Sequence, residues 1–149
     1  ITYVLTTLGT FGLIQFLARK GFEAENIEDF KGLARRSPWL AGIMMMMMFS
    51  LAGLPPLVGF YAKLVVLESV VAIGLVWLAI YAVVMSLVGA FYYLRVIKVM
   101  YFDEPVGEVP PPRAAPLVPV VVGVNALALL ALGIAWNPIM AWCKLAFAG

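Results

Sequence analysis

Histidine is absent from the chain, and cysteine occurs once, as Cys143. These two lacks remove zinc sites, haem ligation by histidine, iron–sulfur clusters and any internal disulfide. Cys143 stands near the end, in Ala-Trp-Cys-Lys, and reads as an ordinary interfacial residue. Charge is also scarce. Lys and Arg number 10 and Asp and Glu 8, so that 12% of the 149 residues are charged, where a soluble domain has about 25%. No basic cluster is interleaved with aromatics, so nucleic-acid binding has no support. No base is available to activate a serine, and no glycine-rich phosphate loop follows a strand pattern.

What is present is apolar. Hydrophobic residues make up 64% of the chain and the mean hydropathy is +1.04, against about 45–50% apolar in a soluble domain. That excess predicts an all-α protein, a polytopic transmembrane helical bundle forming a single membrane domain over residues 1–149. The chain begins at Ile1, is apolar at once and carries no signal-peptide pattern. The expectation is a processed chain or a piece of a longer protein.

Counting about 20 apolar residues per helix gives four spans, at about 1–18, 38–71, 75–101 and 117–136. The segment from Arg19 to Ser37 holds nine charged residues. Within it Asn26 reads as an N-cap with Glu28 and Asp29 in the first turn. Ile27, Phe30, Leu33 and Ala34 then form one stripe, which predicts a short amphipathic helix on the membrane surface, with Arg35 and Arg36 at its basic end. The second span opens at Ser37-Pro38, an N-cap followed by proline at the first helical position. It runs 34 residues to Val71, too long for one straight crossing at about 1.5 Å per residue. Gly53-Leu54-Pro55-Pro56 interrupts it, so this span is a discontinuous, proline-broken helix. Ala72-Ile73-Gly74 is a tight link. The third span ends in a belt of aromatic and basic residues from Tyr92 to Tyr101. Pro110-Pro111-Pro112 makes the next loop stiff and extended. Asn137-Pro138 is expected to end the fourth span and leave a tail from Ile139 to Gly149.

Between Ser37 and Leu94 the only charged side chains are Lys63 and Glu68. A lysine at a bilayer centre costs roughly 2.5–3.5 kcal/mol on insertion scales. A chain keeps such a residue where it meets a water-filled cavity or a partner, so Lys63 reads as a proton-accepting group. The competing reading is a lysine that snorkels along its aliphatic stem to the interface; its distance from both ends of the span speaks against that. Gly53, Pro55, Pro56 and Gly59 form the helix break, whose freed carbonyls and amides meet water or an ion, or which serves as a packing kink. Glu68 lies five residues on, about 140° around the helix from Lys63, so an internal ion pair is not expected. Glu68 is either an accessory group or an interfacial one. Arg95 shares a face with Lys98, as a membrane anchor or as a second accessory group. Met44 to Met48 point all round their helix and read as adaptable packing, and Asn125 as an interhelical hydrogen bond. The basic residues in the first and third loops put both on the cytoplasmic side, with the middle link and C-terminus opposite.

The run from Phe49 to Lys63, Phe-Ser-Leu-Ala-Gly-Leu-Pro-Pro-Leu-Val-Gly-Phe-Tyr-Ala-Lys, resembles the broken-helix motif of the antiporter-like membrane subunits of NADH–quinone oxidoreductase (respiratory complex I). Multisubunit cation/proton antiporters share that motif. Glu28 to Arg36 and Gly89 to Phe102 resemble the flanking segments of the N branch of that family. The resemblance covers roughly Ile1 to Pro105, and the remainder by pattern only. It implies a fourteen-helix protein of which this chain supplies the last four helices. Lys63 then takes the place of the lysine on the discontinuous helix of the second half-channel. In the M branch a glutamate stands there, so lysine points to the N or L branch or to an antiporter. Leu64 departs from the phenylalanine that often follows and is shared with antiporter subunits. The resemblance further implies proton translocation within the complex, with other membrane-arm subunits and the lipid bilayer as partners. NADH, FMN, iron–sulfur clusters and quinone would sit on other subunits, with no cofactor on this chain. The setting would be the bacterial inner membrane, with the C-terminus periplasmic. The alternatives are a subunit of a sodium/proton antiporter and a purely structural membrane subunit.

Overall fold

The structure, a computed structural model, describes residues 2–17, 26–104 and 117–147. All regular structure in these segments is helical: α1 (Thr2–Leu17), a 3-10 turn (Ile27–Phe30), α2 (Leu33–Arg36), α3 (Pro38–Ala52), α4 (Val58–Ala72), α5 (Val76–Phe102), α6 (Leu117–Ile134) and α7 (Trp136–Phe147). Arg19 and the run Pro110-Pro111-Pro112 lie outside the described residues.

The expected broken span is two helices of 15 residues each, α3 and α4. Pro38 occupies the first position of α3, where its missing N–H costs nothing. Ser37 precedes it as expected, but its hydroxyl makes no cap bond. The end of α3 is set by Gly53, whose φ of 81° places it in the left-handed region that favours glycine. The Gly53 N–H donates to the Ser50 carbonyl at 3.1 Å and the Leu54 N–H to the Phe49 carbonyl at 3.0 Å, a Schellman closure. Pro55 and Pro56 cannot continue a helix, and Leu57, extended at φ −77° and ψ 150°, opens α4. A short link from Ile73 to Leu75 then turns the chain from α4 into α5.

Helix α3 is the centre of the bundle and packs against α1, α2, α4, α5 and α6. Met44, Met47 and Met48 are buried among Leu13, Leu57, Met100 and Leu129, and Met45 and Met46 pack partly buried against the same core. Inside a bilayer such helices are held by van der Waals packing rather than by release of water. Unbranched thioether side chains fill the uneven gaps between five neighbours. Asn125 of α6 donates to the Leu5 carbonyl of α1 at 2.8 Å, the expected interhelical bond.

Of the described helices, α5 alone is long and apolar enough to cross a membrane by itself, with 27 residues and a mean hydropathy of 1.8. Its outer face, including Trp77, Ile80, Val84, Leu87 and Phe91, is exposed.

Two expectations need correction. Asn137-Pro138 does not end the fourth span. The chain bends by 75° between α6 and α7, at Ala135, and the expected tail is helix α7. Pro138 falls in the first turn of α7, where no intrahelical acceptor awaits its nitrogen. Trp136 at the bend stacks on Tyr61 of α4, with centroids 5.5 Å apart and planes 19° from parallel. The amphipathic segment is likewise not one helix. Gly32, at φ 66°, separates the 3-10 turn from α2. The expected stripe survives this division, because Phe30 and Leu33 are both buried. The Gly32 N–H docks the segment on the Val99 carbonyl of α5 at 3.4 Å.

Candidate functional site

The Schellman closure of α3 uses the carbonyls of Phe49 and Ser50 and leaves those of Leu51 and Ala52 to other donors. A helix C-terminus carries partial negative charge and favours a cation. Lys63 meets that demand. Its side chain runs back from α4, and Nζ donates to the Leu51 and Ala52 carbonyls, each at 3.0 Å. The third donation goes to Ser86 Oγ on α5 at 2.8 Å. A lysine ammonium has three donors and no acceptor, so all three are satisfied by neutral oxygens.

Glycine makes this geometry possible at two places. A Cβ on Gly53 would lie 2.9 Å from Lys63 Cδ and 3.1 Å from Nζ, so the lysine stem crosses the bare backbone of the α3 cap. A Cβ on Gly59 would run into the Ser50 carbonyl and lie 2.9 Å from Ser50 Oγ. The first turn of α4 therefore rests on the last turn of α3. Gly53 ends α3 and leaves room for the lysine stem, Pro55 and Pro56 stand in the link before α4, and Gly59 lets the first turn of α4 rest close on α3.

Two cavities meet at Lys63. One, of about 350 Å³, is lined by Tyr3, Thr6, Ser50, Lys63, Ser86 and Tyr93 among others. The other, of about 360 Å³, is lined by Ala62, Lys63, Val66, Leu67, Ala82 and Ser86. Ser50 is 2% exposed, and its hydroxyl has no hydrogen-bond partner.

The remaining candidates stand apart. Glu68 is exposed on α4, and the ion pair found among the described residues is Lys31–Glu28 at 3.2 Å. Arg95 and Lys98 are exposed on α5. Among the described residues, no group of three or more His, Cys, Asp or Glu side chains is arranged to hold a metal. Ser50 and Ser86 were not singled out by the sequence reading. A signal for Ser86 existed: it is the one Ser or Thr within α5. It also lies as far beyond the Gly74 link as Lys63 lies before it, to within one residue.

Residues 1–89 match the family model described as NADH:quinone oxidoreductase/Mrp antiporter, TM. Two similar relatives carry the name NADH-quinone oxidoreductase subunit N. That of Xanthomonas euvesicatoria is 56% identical over 149 residues, covering 100% of this chain and 31% of the relative. That of Cupriavidus taiwanensis is 66% identical over 108 residues, covering 72% of this chain and 22% of the relative. A chain from the solved structure of respiratory complex I from Thermus thermophilus with bound aureothin superposes with a TM-score of 0.77. It is 29% identical and covers 91% of this chain and 32% of its own length. The chain spans about a third or less of the length of these relatives. On this evidence the all-helical chain with its lysine at a broken helix belongs to the transmembrane family of NADH:quinone oxidoreductase and Mrp antiporter subunits.

Proposed function

We propose that this chain is the C-terminal part of an antiporter-like subunit in the membrane arm of a proton-translocating NADH:quinone oxidoreductase, and that Lys63 is its proton-transfer group. The observation that carries this reading is the cradle of three neutral oxygens that receives the Lys63 ammonium at the break between α3 and α4. A helix broken inside a membrane leaves backbone groups that need a partner. Here the partner is an ionisable side chain bordered by two cavities. The names of the relatives favour the oxidoreductase over a sodium/proton antiporter.

In this reading four spans cross the bacterial inner membrane: α1, the broken pair α3–α4, α5 and α6. The first and third loops face the cytoplasm and the C-terminus the periplasm. NADH, flavin, iron–sulfur and quinone chemistry belongs to other subunits, and redox energy reaches Lys63 through the protein. Neighbouring membrane-arm subunits and the missing helices cover the exposed face of α5. Glu68 and Arg95 are accessory charges directed to those neighbours.

The test is NADH-driven proton pumping in membrane vesicles that carry Lys63→Ala in the full-length subunit, with assembly of the complex checked in parallel. An assembled complex whose pumping falls well below wild type is the expected result. Unchanged assembly and unchanged pumping would reject the reading and leave Lys63 as a tolerated polar residue in a scaffold.

A further inference from the structure

The side of α4 away from Lys63 is held as closely as the side that carries it. Val122, Ala126 and Leu129 are the buried residues of α6, at the spacing of one helix face. Gly133 is the next position on that face and is buried too. A Cβ there would run into the Pro56 carbonyl and lie 2.8 Å from the Val58 nitrogen and 2.9 Å from the Leu57 carbonyl carbon. The link between α3 and α4 therefore lies on the bare backbone of α6. Three residues on, past the 75° bend, Trp136 stacks on Tyr61 with centroids 5.5 Å apart. Tyr61 and Lys63 are two residues apart, about 200° around a helix, and so leave α4 on nearly opposite sides. Lys63 meets the open end of α3 and Ser86 of α5. Tyr61 meets the bend between α6 and α7.

We propose that Trp136 is a positioning residue for Lys63: its stack on Tyr61 backs α4 from the side opposite the lysine and sets how closely Nζ approaches the Leu51 and Ala52 carbonyls. The inference rests on Lys63 being the proton-transfer group. Two glycine contacts fix where α4 starts. Gly133 holds the link against α6, and Gly59 rests the first turn of α4 on Ser50. Neither contact fixes the tilt of α4 beyond that turn. The tilt is set further along, where the helix is gripped between Trp136 on one side and α3 and α5 on the other. The Lys63 bonds are 2.8 to 3.0 Å long. At about 3.6 Å such a bond no longer counts as one, so a shift of about 0.6 Å at Nζ is enough to open the bonds to α3. A missing ring at position 136 leaves α4 free to lean that far toward the bend. The last turn of α6 and the first of α7 thus belong to the lysine site, although neither touches the lysine.

The test is Trp136→Leu and Trp136→Phe in the full-length subunit of the assembled complex, beside Lys63→Ala and Asn125→Leu. Pumped protons are measured per assembled complex, well below the temperature of inactivation. Asn125→Leu removes a bond from α6 to α1 and controls for a general loosening of α6. The expected result is that Trp136→Leu assembles and pumps about twofold to tenfold less, the range one aromatic pair supports. Trp136→Phe keeps a ring to stack and should pump near the wild-type rate. Tyr61→Leu combined with Trp136→Leu should lose no more than either alone, since both remove the same stack. A purely structural role predicts a lower inactivation temperature with unchanged pumping in Trp136→Leu, as in Asn125→Leu. That outcome, with pumping lost in Lys63→Ala, would overturn the positioning role and leave Lys63 standing. Wild-type pumping in Trp136→Leu and Lys63→Ala alike would overturn both. Equal losses in Trp136→Phe and Trp136→Leu would overturn the stack as the cause. If Trp136→Leu does not assemble, the same question is put from α4: Tyr61→Phe should pump and Tyr61→Leu should not, and equal pumping by these two would overturn the proposal.

Discussion

Lys63 and Ser86 face each other across the α4–α5 hairpin, with Nζ donating to Oγ at 2.8 Å. This bond ties the helix after the break to the helix that follows it. The other two Lys63 bonds tie the same side chain to the helix before the break, through Leu51 and Ala52. One ammonium group therefore joins three helices. Its loss should be felt in the relative placement of α3, α4 and α5 as well as in any proton transfer, so assembly has to be read beside activity in every Lys63 variant.

Gly53→Ala should destabilise the site by about 1–2 kcal/mol, the cost of an L residue in the left-handed region, since φ there is 81°. The added methyl also meets the lysine stem. Gly53→Asn should lose less in the backbone term, because asparagine visits this region more readily. Thermal inactivation of the assembled complex would rank wild type, Asn and Ala in that order; an Ala variant as stable as wild type would contradict the cap geometry.

Gly59→Ala should act on packing and on the site together. Its Cβ runs into the Ser50 carbonyl, so α4 must shift away from α3. Such overpacking costs about 1–3 kcal/mol, and the shift lengthens the Lys63 bonds to Leu51 and Ala52. Reduced stability with reduced pumping is the expected pair of results in the vesicle assay. Full pumping would mean that Lys63 does not need this spacing.

Asn125→Leu should remove the bond to the Leu5 carbonyl and cost about 0.6 kcal/mol, with an upper value of about 1.7. Proton pumping should be unaffected, because Asn125 lines a separate cavity with Leu5, Leu8 and Gly9. Detergent sensitivity of the complex is the measurement. A loss of pumping at normal stability would place Asn125 in the proton path and contradict its structural role.

Cys143 is exposed on α7, and the orientation argued from loop charge puts that end on the periplasmic side. With any other cysteines of the full-length subunit replaced, a membrane-impermeant maleimide should label Cys143 in intact cells and not in sealed inside-out vesicles. The reverse pattern would invert the topology.

The helix break was legible residue by residue. Gly-x-Pro-Pro cannot remain helical because proline lacks an N–H and clashes with the preceding turn, whatever surrounds it. The isolation of Lys63 in an apolar run was equally plain. The course of residues 135–147 was misread, because Asn137-Pro138 looks like a stop signal at the end of a helix and is harmless in the first turn of a new one. Which of the two applies depends on whether the chain has already bent at Ala135, and that bend is accompanied by Trp136 stacking on a residue 75 positions earlier, Tyr61. Gly32 divides the amphipathic segment for a similar reason. Its stripe of apolar residues is compatible with one helix, but docking on Val99 selects the broken form.

The sequence by itself determined the membrane character, the place of the break and the isolated lysine just beyond it. Each of these follows from local backbone sterics or from the summed cost of polar groups in hydrocarbon. Only the tertiary structure decided what Lys63 touches. Leu51 and Ala52 lie 12 and 11 residues before it and Ser86 lies 23 after it. No periodicity links such positions; they meet because α4 folds back on the open end of α3 and the Gly74 link sets the register of α5. The unpartnered hydroxyl of Ser50 is of the same kind, since burial of a serine is a property of the helices packed around it.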